Sequence, residues 1–228
     1  TKEQVADAEI HYLTKSSFKS IIEPNPKVSK VFTIEKSIDE VLPELKAEQY
    51  DWVIDLHNNI RTKGLKSKLR RPSKTFRKLN WEKWLLVNAK INKLPDVHVV
   101  DRYFETVKHL GVQPDGKSGD FIIQQENEVQ LSDWKLEPKT YVTIAIGAQH
   151  ETKCLPAEKL IELIDQIEAP VVLVGGPTDA SKAQEIISGS DKEIVNTVGE
   201  LNLQQSASLV KQSKHLITYD TGMMHIAS

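Results

Sequence analysis

The chain has 228 residues, 27% of them charged and 39% apolar, with a formal net charge of −2 at pH 7. These are the proportions of an ordinary globular protein, long enough to bury one large core or two smaller ones. No apolar run approaches the roughly 18 residues of a membrane-spanning helix. The single cysteine, Cys154, excludes an internal disulfide framework and fits a reducing cytoplasm.

In the first half of the chain, short apolar stretches alternate with helical patterns. Strands are predicted at 9–13, 28–34 and 52–56, and helices at 17–22, 81–88 and 98–110. Ser37 followed by Glu40 is the pattern of a capping box and predicts a helix start. Gly111 is predicted to end the helix before it. Residues 113–139, rich in Pro, Gly, Ser and acidic side chains, are predicted to form a linker.

The second half alternates regularly. Strands are predicted at 141–146, 171–174, 194–198 and 215–218, and helices at 156–167, 178–187 and 203–212, with a further helix starting after residue 220. Such alternation favours a parallel sheet covered by helices. Charge divides the chain at a similar place, with 22 Lys and Arg against 17 Asp and Glu up to residue 125 and 8 against 15 from residue 126. We therefore expect two domains, 1–125 and 126–228, with different partners.

The junctions that follow the predicted strands of the second half carry candidate ligand-binding residues. Asp220, Thr221 and Gly222 lie where a strand ends and a helix begins, which suits a phosphate-bearing ligand. Gly222 permits close approach to the backbone, and Thr221 either caps the helix or donates to an oxygen. His225 either donates to a phosphate or packs on the sheet. The same junction also occurs for purely structural reasons.

Two earlier junctions add three further candidates. Gly147 permits a tight turn after its strand, and the ammonium of Lys153, just before a helix, could reach a diphosphate. Asp179 follows the Gly-Gly-Pro turn at 175–177, where a carboxylate accepts from ribose hydroxyls or favours a helix N-terminus. No carboxylate, His or Cys cluster has metal-ligand spacing, so no metal site and no cofactor is predicted.

Positive charge is concentrated in residues 61–83, where one acidic residue, Glu82, stands against ten cations. The cations are Arg61, Lys63, Lys66, Lys68, Arg70, Arg71, Lys74, Arg77, Lys78 and Lys83. With Trp81 and Trp84 beside them, they fit nucleic acid, an anionic membrane or a phosphorylated glycolipid, or form a solvated face. Just before them, Asp55, His57, Asn58 and Arg61 follow a predicted strand, and Asp55 or His57 is either an acid–base group or held by neighbouring hydrogen bonds.

Four stretches together resemble one family. Residues 220–227, Asp-Thr-Gly-Met-Met-His-Ile-Ala, resemble the Asp-(Ser/Thr)-Gly-x-x-His-(Leu/Ile)-Ala signature of the ADP-heptose:lipopolysaccharide heptosyltransferases, glycosyltransferase family 9. Residues 50–61 are similar to its YDxVIDLHxNxR segment, 144–148 through 153–156 to its PGA…KxWP segment, and 171–177 to its VxLxGGPxE segment. The four occur in the family's order, although Leu155 stands where the family commonly has Trp.

The resemblance implies an α/β fold of two Rossmann-like domains with parallel sheets facing a cleft (GT-B type), truncated here at both termini. It implies inverting, metal-independent transfer of a heptose from an ADP-sugar to a lipopolysaccharide core or related glycolipid, in the cytoplasm at the inner face of the inner membrane, with peripheral contact to anionic lipid. The implied donor-binding residues are Gly147, Lys153, Asp179, Asp220, Thr221, Gly222 and His225. The acceptor-side residues are Asp55, His57, Asn58, Arg61, Arg70, Arg71, Lys74 and Arg77. The catalytic base is expected before Thr1, so no residue is assigned to it.

Two other classes of function remain as alternatives. A basic nucleic-acid-binding module centred on 61–84 would not need the glycine turns of the second half. If the chain is instead a glycosyltransferase, we expect no specific nucleic-acid partner. A nucleotide-dependent oxidoreductase on similar Rossmann-like halves is disfavoured because no Gly-x-Gly-x-x-Gly follows a strand. The absence of Gly-x-x-x-x-Gly-Lys-(Ser/Thr) likewise disfavours a kinase or NTPase.

Overall fold

The structure, a computed structural model, describes residues 1–116, 119–148 and 150–228. The chain forms two compact units, Thr1–Gly119 and Asp120–Ser228. Residues 120–125 thus belong to the second unit, although the charge pattern groups them with the first. Two residues of the predicted linker, 117 and 118, lie outside the described residues.

The first unit contains two pairs of parallel strands. Strand β1 (His11–Lys15) pairs with β2 (Lys30–Ile34), and β3 (Val53–Asp55) pairs with β4 (Ser73–Thr75). The helices are α1 (Lys19–Ile22), α2 (Leu42–Ala47), α3 (Ile60–Leu69), α4 (Asn80–Trp84) and α5 (Val99–Phe104). A single core connects both pairs, because residues of β2, α2 and α3 pack together with Leu13 and Val53 around Phe32.

The sequence pattern does not predict helix α3 or strand β4, because ten cations in this region obscure the apolar residues. Asn59 caps α3 through a reciprocal pair of hydrogen bonds with Thr62. Leu65 and Leu69, one helical turn apart, are its buried positions. The capping box at Ser37 is present, but it opens a short 3₁₀ helix, Ile38–Glu40, ahead of α2.

The predicted helix at 81–88 is α4 followed by a π-helical turn, Leu85–Ala89. The predicted helix at 98–110 is α5 followed by a 3₁₀ turn, Lys108–Leu110. Gly111 ends this segment with a φ of 79°, in the left-handed region that favours glycine, which confirms its predicted role.

The second unit is a four-stranded parallel sheet with helices between the strands. The strands are β5 (Val142–Ala145), β6 (Val171–Val174), β7 (Ile194–Asn196) and β8 (His215–Ile217), in the spatial order β7-β6-β5-β8. The helices are α6 (Ala157–Asp165), α7 (Ala180–Gly189), α8 (Leu203–Gln212) and α9 (Gly222–Ala227). Every strand and helix predicted for this half is present, with ends shifted by a few residues.

Both faces of this sheet are covered, which explains its continuous apolar strands. Val171 and Leu173 of β6 pack with α6 and α7, whereas Val172 and Val174 face the opposite core, which contains Leu209 of α8. The second half of the predicted linker belongs to that core, because Leu131 and Leu136 are buried there. Amide side chains fix the segment in place, since the N–H of Gln124 donates to Oε1 of Gln204 at 2.9 Å. Within the described residues, no helix is both long and apolar enough to cross a bilayer.

Candidate functional site

The strand order of the second unit defines where a ligand would bind. From β5 the chain moves outward to β6 and β7, and then returns to the other side of β5 as β8. In open parallel sheets, ligands bind beyond the carboxyl ends of the strands at such a reversal. The loops that follow β5 and β8 therefore flank the expected crevice, and they carry Lys153 and Asp220.

Lys153 and Asp220 form an ion pair between these two loops. Nζ of Lys153, the last residue of the 3₁₀ helix Glu151–Lys153, lies 2.7 Å from Oδ2 of Asp220 and 3.1 Å from the carbonyl oxygen of Asp220. Both side chains are solvent-accessible, at 42% and 67% exposure. The hydrogen bond from Lys153 holds the pKa of Asp220 below its usual range, and His225 adds a smaller attraction. Three of the candidates are thus brought together electrostatically.

The turn after Asp220 presents unused donors. Thr221 precedes α9 but does not cap it through its side chain; its hydroxyl lies 3.3 Å from that of Thr218. In the described part of the chain, the N–H groups of Gly222 and Met223 donate to no acceptor, while the next two amides bond to the carbonyl oxygen of Thr221. A Cβ at Gly222 would meet nothing within 4 Å, so the backbone is open to a ligand there.

Asp179 lies beside the glycine turns that follow β5 and β6. Its Oδ2 accepts a 2.8 Å hydrogen bond from the N–H of Gly176 and thereby completes the turn after β6. The same carboxylate packs against Gly147, where an added Cβ would force it to move. No hydrogen bond to Oδ1 of Asp179 is present among the described residues. The structure therefore joins Gly147 and Asp179 and leaves one carboxylate oxygen for another partner.

Lys182 supports the loop that carries Lys153 and lies beside the Tyr219 ring, although no sequence pattern predicts either contact. Nζ of Lys182, on α7, donates to the carbonyl oxygen of Leu155 at 2.7 Å and lies 5.6 Å from the centre of the Tyr219 ring. Burial raises the pKa of Tyr219, and the backbone of Leu155 opposes that shift. Lys182 lies on α7 and Tyr219 follows β8, far apart in the chain, so no local sequence pattern could have revealed that they meet.

On the first unit, Asp55 has a structural environment. Its side chain is 2% exposed, and its Oδ2 lies 2.7 Å from Nζ of Lys66 on α3. Its Oδ1 accepts hydrogen bonds from the N–H groups of His57 and Asn58, at 3.0 and 2.8 Å. Burial alone would raise the pKa of Asp55, but Lys66 and the turn donors outweigh it and lower the pKa. These contacts favour the structural interpretation of Asp55 over the acid–base one.

The other acceptor-side candidates differ in how free they are. Asn58 has a φ of 44° and donates to the carbonyl oxygen of Phe76, so it also shapes the turn, whereas His57 is exposed. Arg77 is ion-paired with Glu82. In the described part of this unit, Lys66, Lys68 and Arg77 are the ion-paired members of the basic segment, and seven cations have no carboxylate partner: Arg61, Lys63, Arg70, Arg71, Lys74, Lys78 and Lys83. Among the residues that the structure describes, no group of His, Cys, Asp or Glu could hold a metal ion.

A family model matches most of the chain. Residues 40–228 match the family model described as glycosyltransferase family 9 (heptosyltransferase). No curated protein sequence matches the chain.

Solved structures show the same fold at low sequence identity. The glycosyl transferase family 9 structure from Veillonella parvula has a TM-score of 0.79 and 23% identity, with 96% of this chain and 68% of that chain covered. The structure of E. coli ADP-heptose lps heptosyltransferase II has a TM-score of 0.73 and 20% identity, with 99% of this chain and 74% of that chain covered. The structure of E. coli heptosyltransferase WaaC with ADP has a TM-score of 0.71 and 20% identity, with 99% of this chain and 76% of that chain covered. At these identities the likeness establishes the α/β fold with parallel sheets.

Proposed function

We propose a reaction for this chain, which belongs to the heptosyltransferases of glycosyltransferase family 9. It would transfer a heptose from an ADP-activated donor to a lipopolysaccharide core or a related phosphorylated glycolipid. The second unit would bind the donor and the first unit the acceptor, in a GT-B arrangement. The observation that carries the proposal is the Lys153–Asp220 pair at the strand-order reversal. Structures similar to this chain include a heptosyltransferase with ADP.

The donor site would work through fixed positive charge. The Lys153 ammonium, the Thr221 hydroxyl and the free N–H groups of Gly222 and Met223 are donors suited to a diphosphate. As the sugar–phosphate bond breaks, negative charge grows on the leaving ADP, and donors already in place stabilise that charge. Asp220 would hold Lys153 in position until the diphosphate competes for it. These groups supply the charge that a metal ion provides in other enzymes.

The remaining candidates fit the other parts of the donor. Oδ1 of Asp179 is suited to accept from a ribose hydroxyl, since Oδ2 is engaged by Gly176. Gly222 allows the ligand to approach the backbone, Gly147 makes room for the Asp179 carboxylate, and His225 would add a donor one helical turn beyond Thr221. All seven donor-side candidates lie in the second unit, which favours a common ligand.

The acceptor would be recognised through its negative charge. Arg61, Arg70, Arg71 and Lys74 offer guanidinium and ammonium groups to phosphate or carboxylate groups of a glycolipid core. Inverting transfer requires one base to deprotonate the attacking hydroxyl, and we assign no residue of this chain to that step. The enzyme would act in the cytoplasm, peripherally at the inner face of the inner membrane.

A ligand series tests the proposal. The thermal shift of the protein would be measured with ADP, UDP, GDP, NAD and ADP-heptose, and heptose transfer to a phosphorylated core glycolipid would be assayed. We expect stabilisation by ADP and ADP-heptose, and its loss in Lys153→Ala. Equal stabilisation by UDP or GDP would contradict the adenine diphosphate assignment, whereas NAD itself contains an adenosine diphosphate group. Binding of an oligonucleotide with no response to ADP would favour the nucleic-acid module, although the family match includes residues 61–84.

A further inference from the structure

The segment after the acceptor-side cations exposes an unusual amount of apolar surface. Trp81 and Trp84 are 66% and 51% exposed, and Val87 and Ile91 are 65% and 48% exposed. The two indole rings stack on each other, with centroids 5.2 Å apart and planes 8° from parallel. Soluble surfaces rarely present large apolar side chains so close together without a partner. We call these four residues the tryptophan face.

Local structure holds the tryptophan face in a fixed orientation. Trp81, Trp84 and Val87 are spaced three residues apart along α4 and the following π-helical turn, so neighbouring members lie on one side. Leu79, immediately before α4, is buried and anchors the segment to the first unit. The face is therefore presented by the fold and does not depend on a disordered tail.

The charges around the face identify its partner. Lys78, Lys83, Lys90 and Lys93 belong to the same segment and have no carboxylate partner among the described residues. No acidic residue occurs from 83 to 95, and Glu82 is already paired with Arg77. A second copy of the chain would bring these lysines against their equivalents, because a two-fold contact uses the same patch twice. An anionic surface that accepts apolar side chains fits both features.

We propose that the tryptophan face inserts into the interfacial region of an anionic lipid bilayer, with the four lysines contacting the lipid headgroups. Indole rings favour the boundary between headgroups and acyl chains, and lysines extend from there toward phosphate. This lipid-binding surface is an addition to the proposed function. It is distinct from the cations at 61–77, which are proposed to contact the acceptor. Because lipid binding is measured without donor or acceptor, failure of one proposal leaves the other standing.

Vesicle cosedimentation of the whole chain tests the inference. The vesicles would contain phosphatidylcholine alone or with about one quarter phosphatidylglycerol, a composition that gives a negative surface potential. We expect binding to the anionic vesicles, and affinity at least about tenfold lower for Trp81→Ser/Trp84→Ser. The triple variant Lys83→Gln/Lys90→Gln/Lys93→Gln should bind the anionic vesicles with an affinity lowered by a similar factor. Its binding should also lose most of its dependence on salt concentration.

Matched variants control for general effects. Phe18→Ser removes an apolar side chain that is 51% exposed, like Trp84, on the same unit, and should leave vesicle binding unchanged. Lys15→Gln/Lys36→Gln/Lys46→Gln removes the same number of exposed charges elsewhere on that unit and should have a smaller effect. Circular dichroism and ADP affinity would establish that each variant is folded.

Quenching by brominated lipid gives a second measurement. In Trp52→Phe/Trp134→Phe, fluorescence comes from Trp81 and Trp84 alone, and we expect it to be quenched in anionic vesicles. The inference is overturned if the chain does not bind anionic vesicles, or if the tryptophan variant binds as well as the parent. It is also overturned if sedimentation equilibrium shows a dimer that the tryptophan variant abolishes, because a second copy then covers the face.

Discussion

The carboxylate of Asp179 occupies the space that a side chain at Gly147 would need, since a Cβ on Gly147 would lie 2.1 Å from Oδ2 of Asp179. The same oxygen accepts the 2.8 Å hydrogen bond from Gly176. The turns after β5 and β6 therefore depend on each other. Gly147, one of the candidate donor-binding residues, therefore has a structural reason to be glycine.

Gly147→Ala is expected to destabilise the protein. The new methyl group would displace Asp179 and break its hydrogen bond to Gly176, at a cost of about 1–3 kcal/mol for a bond to a charged group. Urea unfolding would measure the change. Gly222→Ala is the matched control, because nothing lies within 4 Å of its Cβ; its stability should change by less than about 0.5 kcal/mol. If the donor approaches Gly222 closely, this control should still bind ADP more weakly.

Lys153 and Asp220 are expected to contribute to ADP binding as a unit. Lys153→Ala and Asp220→Ala should each weaken ADP binding by roughly ten- to a hundredfold. The first substitution removes a charge-assisted donor, and the second removes the carboxylate that holds the Lys153 ammonium in place. Isothermal titration calorimetry of both single variants and the double variant would give the coupling. Two residues in direct contact should show less than additive losses.

Lys159→Ala is the control for this cycle, since Lys159 lies on α6 and is ion-paired with Glu162. It should leave ADP affinity unchanged. Parental affinity in both Lys153→Ala and Asp220→Ala would refute the donor assignment.

Neutralising Arg70, Arg71, Lys74 and Arg77 together should reduce the use of acceptor without changing ADP affinity. Each free cation is expected to contribute about 1 kcal/mol toward an anionic glycolipid, an effect that decreases with salt. Arg77 should contribute least, because it is paired with Glu82. Steady-state kinetics with varied acceptor would measure the change, and an unchanged KM for acceptor would show that these cations are only solvated.

Asp55→Asn is expected to lower the free energy of unfolding by about 2–4 kcal/mol, the cost of leaving Lys66 without its buried partner. The folded pKa of Asp55 is lowered, so its stabilisation is present above the unfolded pKa of about 4 and is lost as the pH falls through the folded value. Urea unfolding between pH 7 and pH 3 should therefore show a smaller acid loss in the variant. Asp39→Asn, whose exposed carboxylate pairs with Lys68 on the same helix, should behave like the parent protein.

Lys182→Ala should weaken ADP binding severalfold while changing the unfolding free energy little, because Lys182 positions the loop of Lys153 through the carbonyl oxygen of Leu155. Lys182→Arg retains a donor and should recover most of the affinity. Calorimetry and urea unfolding of the two variants separate this positioning role from a structural one. An equal loss in both variants would contradict the assignment.

How far the sequence predicts the fold differs between the two units. Strands β5 and β6 are buried on both faces, so their sequences are apolar except for Thr143, as is typical of strands in a covered parallel sheet. Helix α3 shows no such signal, because its two buried leucines stand among lysines and its start depends on an Asn59–Thr62 capping pair. The segment at 124–136 resembles a linker in composition, yet hydrogen bonds from Gln124 and Asn127 to Gln204 and two buried leucines attach it to the core.

The sequence by itself determined the residue types at the strand ends, their order along the chain and the resemblance that joins them. Those properties follow from local pattern and spacing, which act over a few residues. The tertiary structure alone decided which of these residues meet: Lys153 with Asp220, Asp179 with Gly147, Asp55 with Lys66. Such pairs form between elements far apart in the chain, and their distances depend on strand order and helix packing, which no local pattern encodes.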